Sequence, residues 1–106
     1  MKDLGSIMKQ AQAMQEKLRT AQAELARAEI DGAAGGGMVS LTLTGDGALI
    51  RVTIDDSLLA PGEGEIIADL FIAAHADARR KLETRHSEMM REVAGPLAGL
   101  PGMPKF

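Results

Sequence analysis

Between Leu4 and Ala28 apolar residues recur at alternating spacings of three and four, through Ile7, Ala11, Met14, Leu18, Ala21 and Leu25. Such a repeat is the seam of a helix built to pack against another helix. At about 1.5 Å per residue it spans roughly 37 Å, longer than a compact domain of this size covers with its remaining elements. A helix from later in the chain, a second copy of the protein, or both would cover the overhang, and the expectation is both. Leu4, Ile7, Met14, Leu18 and Leu25 are the expected packing and dimer positions.

The chain's 106 residues suit one domain, small enough for dimerisation to add appreciably to its stability. An apolar fraction of 45% argues against disorder, and no apolar run approaches the roughly 20 residues that span a bilayer. No membrane partner is expected. Met1-Lys2-Asp3-Leu4-Gly5 lacks the apolar stretch of a secretory signal, and without cysteine there is no disulfide framework. A cytoplasmic location fits. The aromatic residues are Phe71 and Phe106 alone, so there is no stacking platform of the kind single-strand and RNA binders use. Nucleic-acid contact would have to be with duplex phosphates and shape.

A first helix is predicted over residues 3–29, free of proline and with Lys, Gln, Arg and Glu at its outward positions. Residues 29–32 read as a short edge strand, and Ala33-Ala34-Gly35-Gly36-Gly37 as a mobile loop. Residues 38–43 and 48–54 read as strands around Thr44-Gly45-Asp46-Gly47, an antiparallel hairpin with one buried side per strand. A polar connection from Asp55 to Gly64 leads into a second helix over residues 65–93. Its apolar face is Ile67, Leu70, Phe71, Ala74, Ala78, Leu82, Met89 and Val93. Residues 1–94 form the domain, and residues 95–106, rich in proline and glycine, are expected to be a flexible tail. The fold class is α+β: long helix, small three-stranded antiparallel sheet, long helix, assembled as a homodimer with protruding helical arms. Both helices should overrun the sheet, with the start of the first and the end of the second side by side at one distal tip.

The net charge of −3 hides an uneven distribution. Residues 1–20 and 78–94 hold nine basic and five acidic side chains, the remainder three basic and ten acidic. Basic tips on an acidic body could straddle a duplex and neutralise its phosphates. The same charges also sit at helical spacings, Asp77 with Lys81, Arg79 with Glu83, Arg85 with Glu88 and Glu88 with Arg91, and could equally be solvated surface pairs.

Met8-Lys9-Gln10-Ala11-Gln12-Ala13-Met14-Gln15-Glu16-Lys17, Gly32-Ala33-Ala34-Gly35-Gly36-Gly37-Met38-Val39, Ile54-Asp55-Asp56-Ser57-Leu58-Leu59 and Leu100-Pro101-Gly102-Met103-Pro104 closely resemble, in order, the YbaB/EbfC family of bacterial nucleoid-associated proteins. The resemblance implies a pincer-shaped homodimer that binds double-stranded DNA and changes its conformation in the cytoplasmic nucleoid. Together with the charge distribution it makes Lys2, Lys9, Arg79, Arg80, Arg85 and Arg91 the candidate phosphate contacts. The chain departs from the family pattern in its longer glycine run and in the few lysines of its first helix.

Other constellations carry less. No Gly-Lys-Ser/Thr follows the glycine run, which a strand rather than a helix continues, so a connector is favoured over a phosphate cradle. Adjacent Asp55 and Asp56 fit turn and capping roles better than acid–base chemistry. His75 and His86 are too far apart on one helix to share a metal, and the methionines fall mostly at apolar helical positions. The expected protein is not an enzyme and takes no metal, cofactor or small-molecule substrate. It binds double-stranded DNA with low sequence specificity, altering its conformation and thereby nucleoid organisation and gene expression. The alternative is a dimeric protein-interaction adaptor whose acidic hub docks a basic partner and whose DNA affinity is incidental.

Overall fold

Ala28 alone separates the first helix from the sheet. In the computed structural model, helix α1 (Lys2–Arg27) closes with the Ala28 N–H donating to the Leu25 carbonyl at 3.0 Å, and strand β1 (Glu29–Ala34) starts at the next residue. Strands β2 (Val39–Thr44) and β3 (Leu49–Ile54) follow, then a 3₁₀ turn (Asp56–Leu58) and helix α2 (Gly64–Val93). The sheet is antiparallel in the order β1-β2-β3. This is the expected helix, sheet, helix order. The structure describes residues 2–95 apart from the side chain of Lys2, so the expected flexible tail lies, beyond Gly95, outside the described residues.

The expected mobile loop is instead a closed turn. Strand β1 continues through Ala33 and Ala34, paired with Ser40 and Val39. The Gly37 N–H then donates to Ala34 at 3.3 Å and the Met38 N–H to Gly35 at 3.4 Å. Gly35, Gly36 and Gly37 have φ of 65, 68 and 93°. Three successive residues in that left-handed region are accessible without strain only to glycine, so every residue of the run is used.

Asp55 fulfils the capping role read from the sequence. Its carboxylate accepts from the Ser57 hydroxyl at 2.6 Å and the Ser57 N–H at 2.9 Å, closing the 3₁₀ turn. These two bonds, the hydroxyl first, hold the Asp55 carboxyl below its ordinary value.

One face of the sheet is covered by α2, which lies across β1 and β2. Val39, Leu41 and Leu43 are buried there with Ile30, and Ala74 and Ala78 of α2 reach zero exposure. The fit depends on Gly32, since a Cβ at that position would collide with the backbone of Ala74 and Ala78. A second such contact sits at Gly45, where a Cβ would overlap the Leu25 backbone at the end of α1. Two backbone-to-backbone approaches therefore seat both helices on the sheet.

The last turns of α2 leave the sheet and meet α1. Leu82, Met89 and Val93 share one apolar cluster with Met14, Leu18, Ala21 and Leu25. The helices are antiparallel, and α2 stops where Glu92 and Val93 face residues 16–24 of α1. Residues 3–13 of α1 are exposed throughout. The molecule measures 74 × 24 × 15 Å as a result. It is a small sheet domain with a two-helix arm that ends in a single helix.

Two glycines separate the effects of backbone freedom and close packing. Gly32→Val should cost about 3 kcal/mol in urea unfolding through overpacking. Gly5 lies inside α1 with nothing within 4 Å of a Cβ, so Gly5→Ala should instead stabilise by about 0.5–1 kcal/mol. Equal effects at the two positions would remove the helix-to-strand contact from its central place.

Candidate nucleic-acid interface

Helix α2 carries most of the candidate phosphate contacts, and its turns distribute them over different flanks. Arg80 and Arg85 line a groove with Glu29, Asp31, Asp77, Lys81 and Thr84, on the β1 side. Arg79 lines another with Gly45, Asp46, His86 and Ser87, beside the turn between β2 and β3. Arg91 is exposed in the last turn of α2. Lys9 stands on the uncovered part of α1, sixteen residues from Leu25, about 24 Å along the helix. Lys2 belongs to the same end of α1, but its side chain lies outside the described residues. The five whose side chains are described are therefore dispersed over different flanks rather than gathered in one cluster.

The charge distribution along the arm also differs from the predicted basic tip. Residues 79–85 flank the sheet, because α2 has to cross β1 and β2 before it can overrun them. Beyond the end of α2, α1 continues alone, with Asp3 and Lys9 among its described charged side chains. The arginines at 79, 80 and 85 thus lie at the root of the arm rather than at its end. The two-helix portion is shorter than equal overhang would give, since Gly32 fixes α2 to the sheet at Ala74 and Ala78, in the middle of its length.

Asp77 organises the β1 flank in a way the residue pattern does not reveal. Its Oδ2 accepts from the Ala33 N–H at 3.1 Å, on the edge of β1 that no strand pairs. The same carboxylate meets Arg80 at 2.8 Å and Lys81 at 3.0 Å, and the Lys81 ammonium also donates to the Asp31 carbonyl at 3.1 Å. Side chains of α2 thus take the place of a fourth strand and close this edge to further pairing. The signal was a 44-residue separation between donor and acceptor, for which sequence spacing has no marker.

Of the helical pairs open to a surface-pair reading, Asp77 with Lys81 forms. Among the described residues, Arg79, Arg85 and Arg91 make no ion pair within 4.0 Å, although Glu83 and Glu88 lie at suitable spacings. Their guanidinium groups present donors in a planar fork suited to phosphate oxygens. On the packing seam, Leu25 is buried, Leu18 and Met14 are half-buried, and Ile7 and Leu4 are exposed. Among the described residues no group of three His, Cys, Asp or Glu side chains comes together to hold a metal ion, and no helix is long and apolar enough to cross a membrane.

A sequence model of the YbaB/EbfC DNA-binding family matches residues 1–97. The chain belongs to that family. It is 64% identical over 106 residues to a nucleoid-associated protein of Phenylobacterium zucineum, covering 100% of this chain and 99% of the relative. A nucleoid-associated protein of Caulobacter vibrioides is 63% identical over 102 residues, covering 96% of this chain and 94% of the relative. One from Bartonella bacilliformis is 42% identical over 106 residues, covering 100% and 95%. The crystal structure of an uncharacterized Helicobacter pylori protein has the same fold, with a TM-score of 0.70 at 24% identity over 90% of this chain and 97% of that one.

The Asp77 carboxyl sits below its ordinary value of 3.8, chiefly through the Ala33 N–H and then through Lys81 and Arg80. A depressed carboxyl contributes stability that is complete above the ordinary value and lost as pH falls through the lowered one. Acid unfolding should therefore begin below about pH 4, and Asp77→Asn should flatten the stability curve over that window while leaving its shape at neutral pH unchanged. Identical acid profiles for the two proteins would show that the edge contact does not bear on folding.

Proposed function

We propose that this protein is a homodimeric nucleoid-associated protein that binds double-stranded DNA in the cytoplasm. The observation that carries this reading is the family match over residues 1–97, with relatives at 42 to 64% identity that are named nucleoid-associated proteins. Binding, not catalysis, is the activity, and it needs no cofactor and no small-molecule substrate.

Arg79, Arg85 and Arg91 on α2 and Lys9 on α1 neutralise backbone phosphates. Arg80, held to Asp77, sits among them as a positioned donor. Phosphate contacts fix orientation without reading bases, which gives low sequence specificity. Asp55, Asp56, Glu63, Glu65 and Asp69, before and within the first turns of α2, keep the far end of the domain away from the duplex. Basic strips on two linked protomers then favour a duplex whose path fits both, so binding changes DNA shape, nucleoid organisation and gene expression.

The dimer forms through β3. Leu41 pairs with both Gly32 and Val52, so Val52 points to the face that α2 covers over β1 and β2. There α2 stops short of β3, and Leu49, Ile50 and Val52 remain 40 to 50% exposed. Ile72, seven residues before Arg79 and so on the same flank of α2, is 67% exposed. This apolar surface and the open edge of β3 suit a second copy of the same face.

Two measurements separate the dimer from the DNA contact. Val52→Asp should give a folded monomer in analytical ultracentrifugation; a persisting dimer would move the interface elsewhere. Arg79→Glu with Arg85→Glu should keep the dimer and weaken binding to an arbitrary 20-base-pair duplex about a hundredfold at low salt, lowering the log–log salt slope by about 0.9 for each phosphate that is no longer neutralised. Unchanged affinity in the intact double variant would refute the α2 contact.

A further inference from the structure

The two flanks of α2 differ in how their carboxylates are used. On the side of the turn between β2 and β3, Asp46 lines the groove of Arg79, but its Oδ1 accepts from the Thr44 hydroxyl. No ion pair joins Asp46 to Arg79 among the described residues. On the β1 side, Asp77 takes both cations that follow it one turn later, Arg80 at 2.8 Å and Lys81 at 3.0 Å. Arg85, in the same groove, is in no ion pair among the described residues.

The three members of the Asp77 unit are not held alike. The Asp77 side chain is 22% exposed, against 70% for Arg80 and 55% for Lys81. The sheet fixes the carboxylate independently of the cations, since Oδ2 accepts from the Ala33 N–H at 3.1 Å. That bond is also the chief reason the carboxyl sits below its ordinary value, so it is charged at neutral pH. Arg80 has no second partner among the described residues, and Lys81 has the Asp31 carbonyl at 3.1 Å. An anchored negative charge therefore faces two cations whose ends lie largely in solvent.

We propose that Asp77 withholds Arg80 and Lys81 from the duplex and so limits the affinity of the β1 flank, an inference that rests on the DNA-binding reading above. A carboxylate and a phosphate oxygen accept from the same guanidinium and ammonium donors. Here the competing acceptor is built into the helix that carries the donors, and the sheet holds it in place. A phosphate that draws Arg80 away leaves Asp77 less compensated, and the remaining negative charge repels that same phosphate. Of the three cations in the groove, Arg85 alone is then available at full charge. Arg80 keeps its other N–H groups for hydrogen bonding, but its charge is offset.

Binding of the intact protein to an arbitrary 20-base-pair duplex, measured over a series of salt concentrations, tests this restraint. Asp77→Asn keeps an acceptor for the Ala33 N–H and removes the charge. It should bind about fivefold tighter at low salt, with a log–log salt slope steeper by about 0.9 for each phosphate newly neutralised. Asp31→Asn removes the same charge from the same groove but frees no cation, because that carboxylate accepts from the Thr42 hydroxyl at 2.7 Å and is in no ion pair among the described residues. Its gain should stay below about twofold. Lys81→Gln, which leaves Arg80 on Asp77, should weaken binding by less than about twofold. Unchanged or weaker binding by Asp77→Asn, an equal gain from Asp31→Asn, or a Lys81→Gln loss as large as the Asp77→Asn gain would overturn the proposal. Weakening by Arg79→Glu with Arg85→Glu in the same assay shows that the DNA contact itself stands, which keeps the two failures distinct.

Discussion

No side chain fits between the backbone of α2 and strand β1 at Gly32, and that close approach determines how the rest of the molecule is arranged. It seats α2 at Ala74 and Ala78, near the middle of the helix, and so decides how much of it remains to overrun the sheet. It turns Asp77, the neighbour of Ala78, toward the unpaired edge of β1, where the carboxylate accepts from Ala33. Strand order then leaves β3 as the strand that α2 covers least. An edge closed by side chains on one side and an edge with exposed apolar residues on the other are two results of the same placement. If a second copy pairs at β3 as proposed, the blocked β1 edge limits that pairing to one side of the sheet.

Much of this was legible in the residues. The apolar periods gave both helices to within two residues of their ends, and the alternation of Val39, Leu41 and Leu43 marked the buried side of β2, because those patterns arise from burial on one face. The glycine run was harder. Gly35, Gly36 and Gly37 read equally well as a mobile linker, and only the pairing of Ala33 and Ala34 with β2, a contact across the turn, closes them into a hairpin. The candidate phosphate contacts could be named by residue type but not placed along the arm. Arginines and lysines on α2 stood out by number, yet their level along the arm depends on where Gly32 pins the helix, a long-range contact that leaves no periodic trace.

The charge gradient of α2 has a purely structural component that has to be set aside before any of it is assigned to DNA. Glu65 lies in the first turn and Arg91 in the last, which is how side chains compensate a helix dipole. That compensation fades within a single turn, and Asp77 accounts for Arg80 and Lys81 through direct ion pairs. Arg85 lies about two turns from the end of the helix and Arg79 about four. Neither the dipole nor an ion pair among the described residues employs them. They flank the thickest part of the arm, where two helices and the sheet hold the backbone in place. A phosphate contact made there is with a rigid surface, whereas one made at Lys9 depends on how firmly a single helix is held.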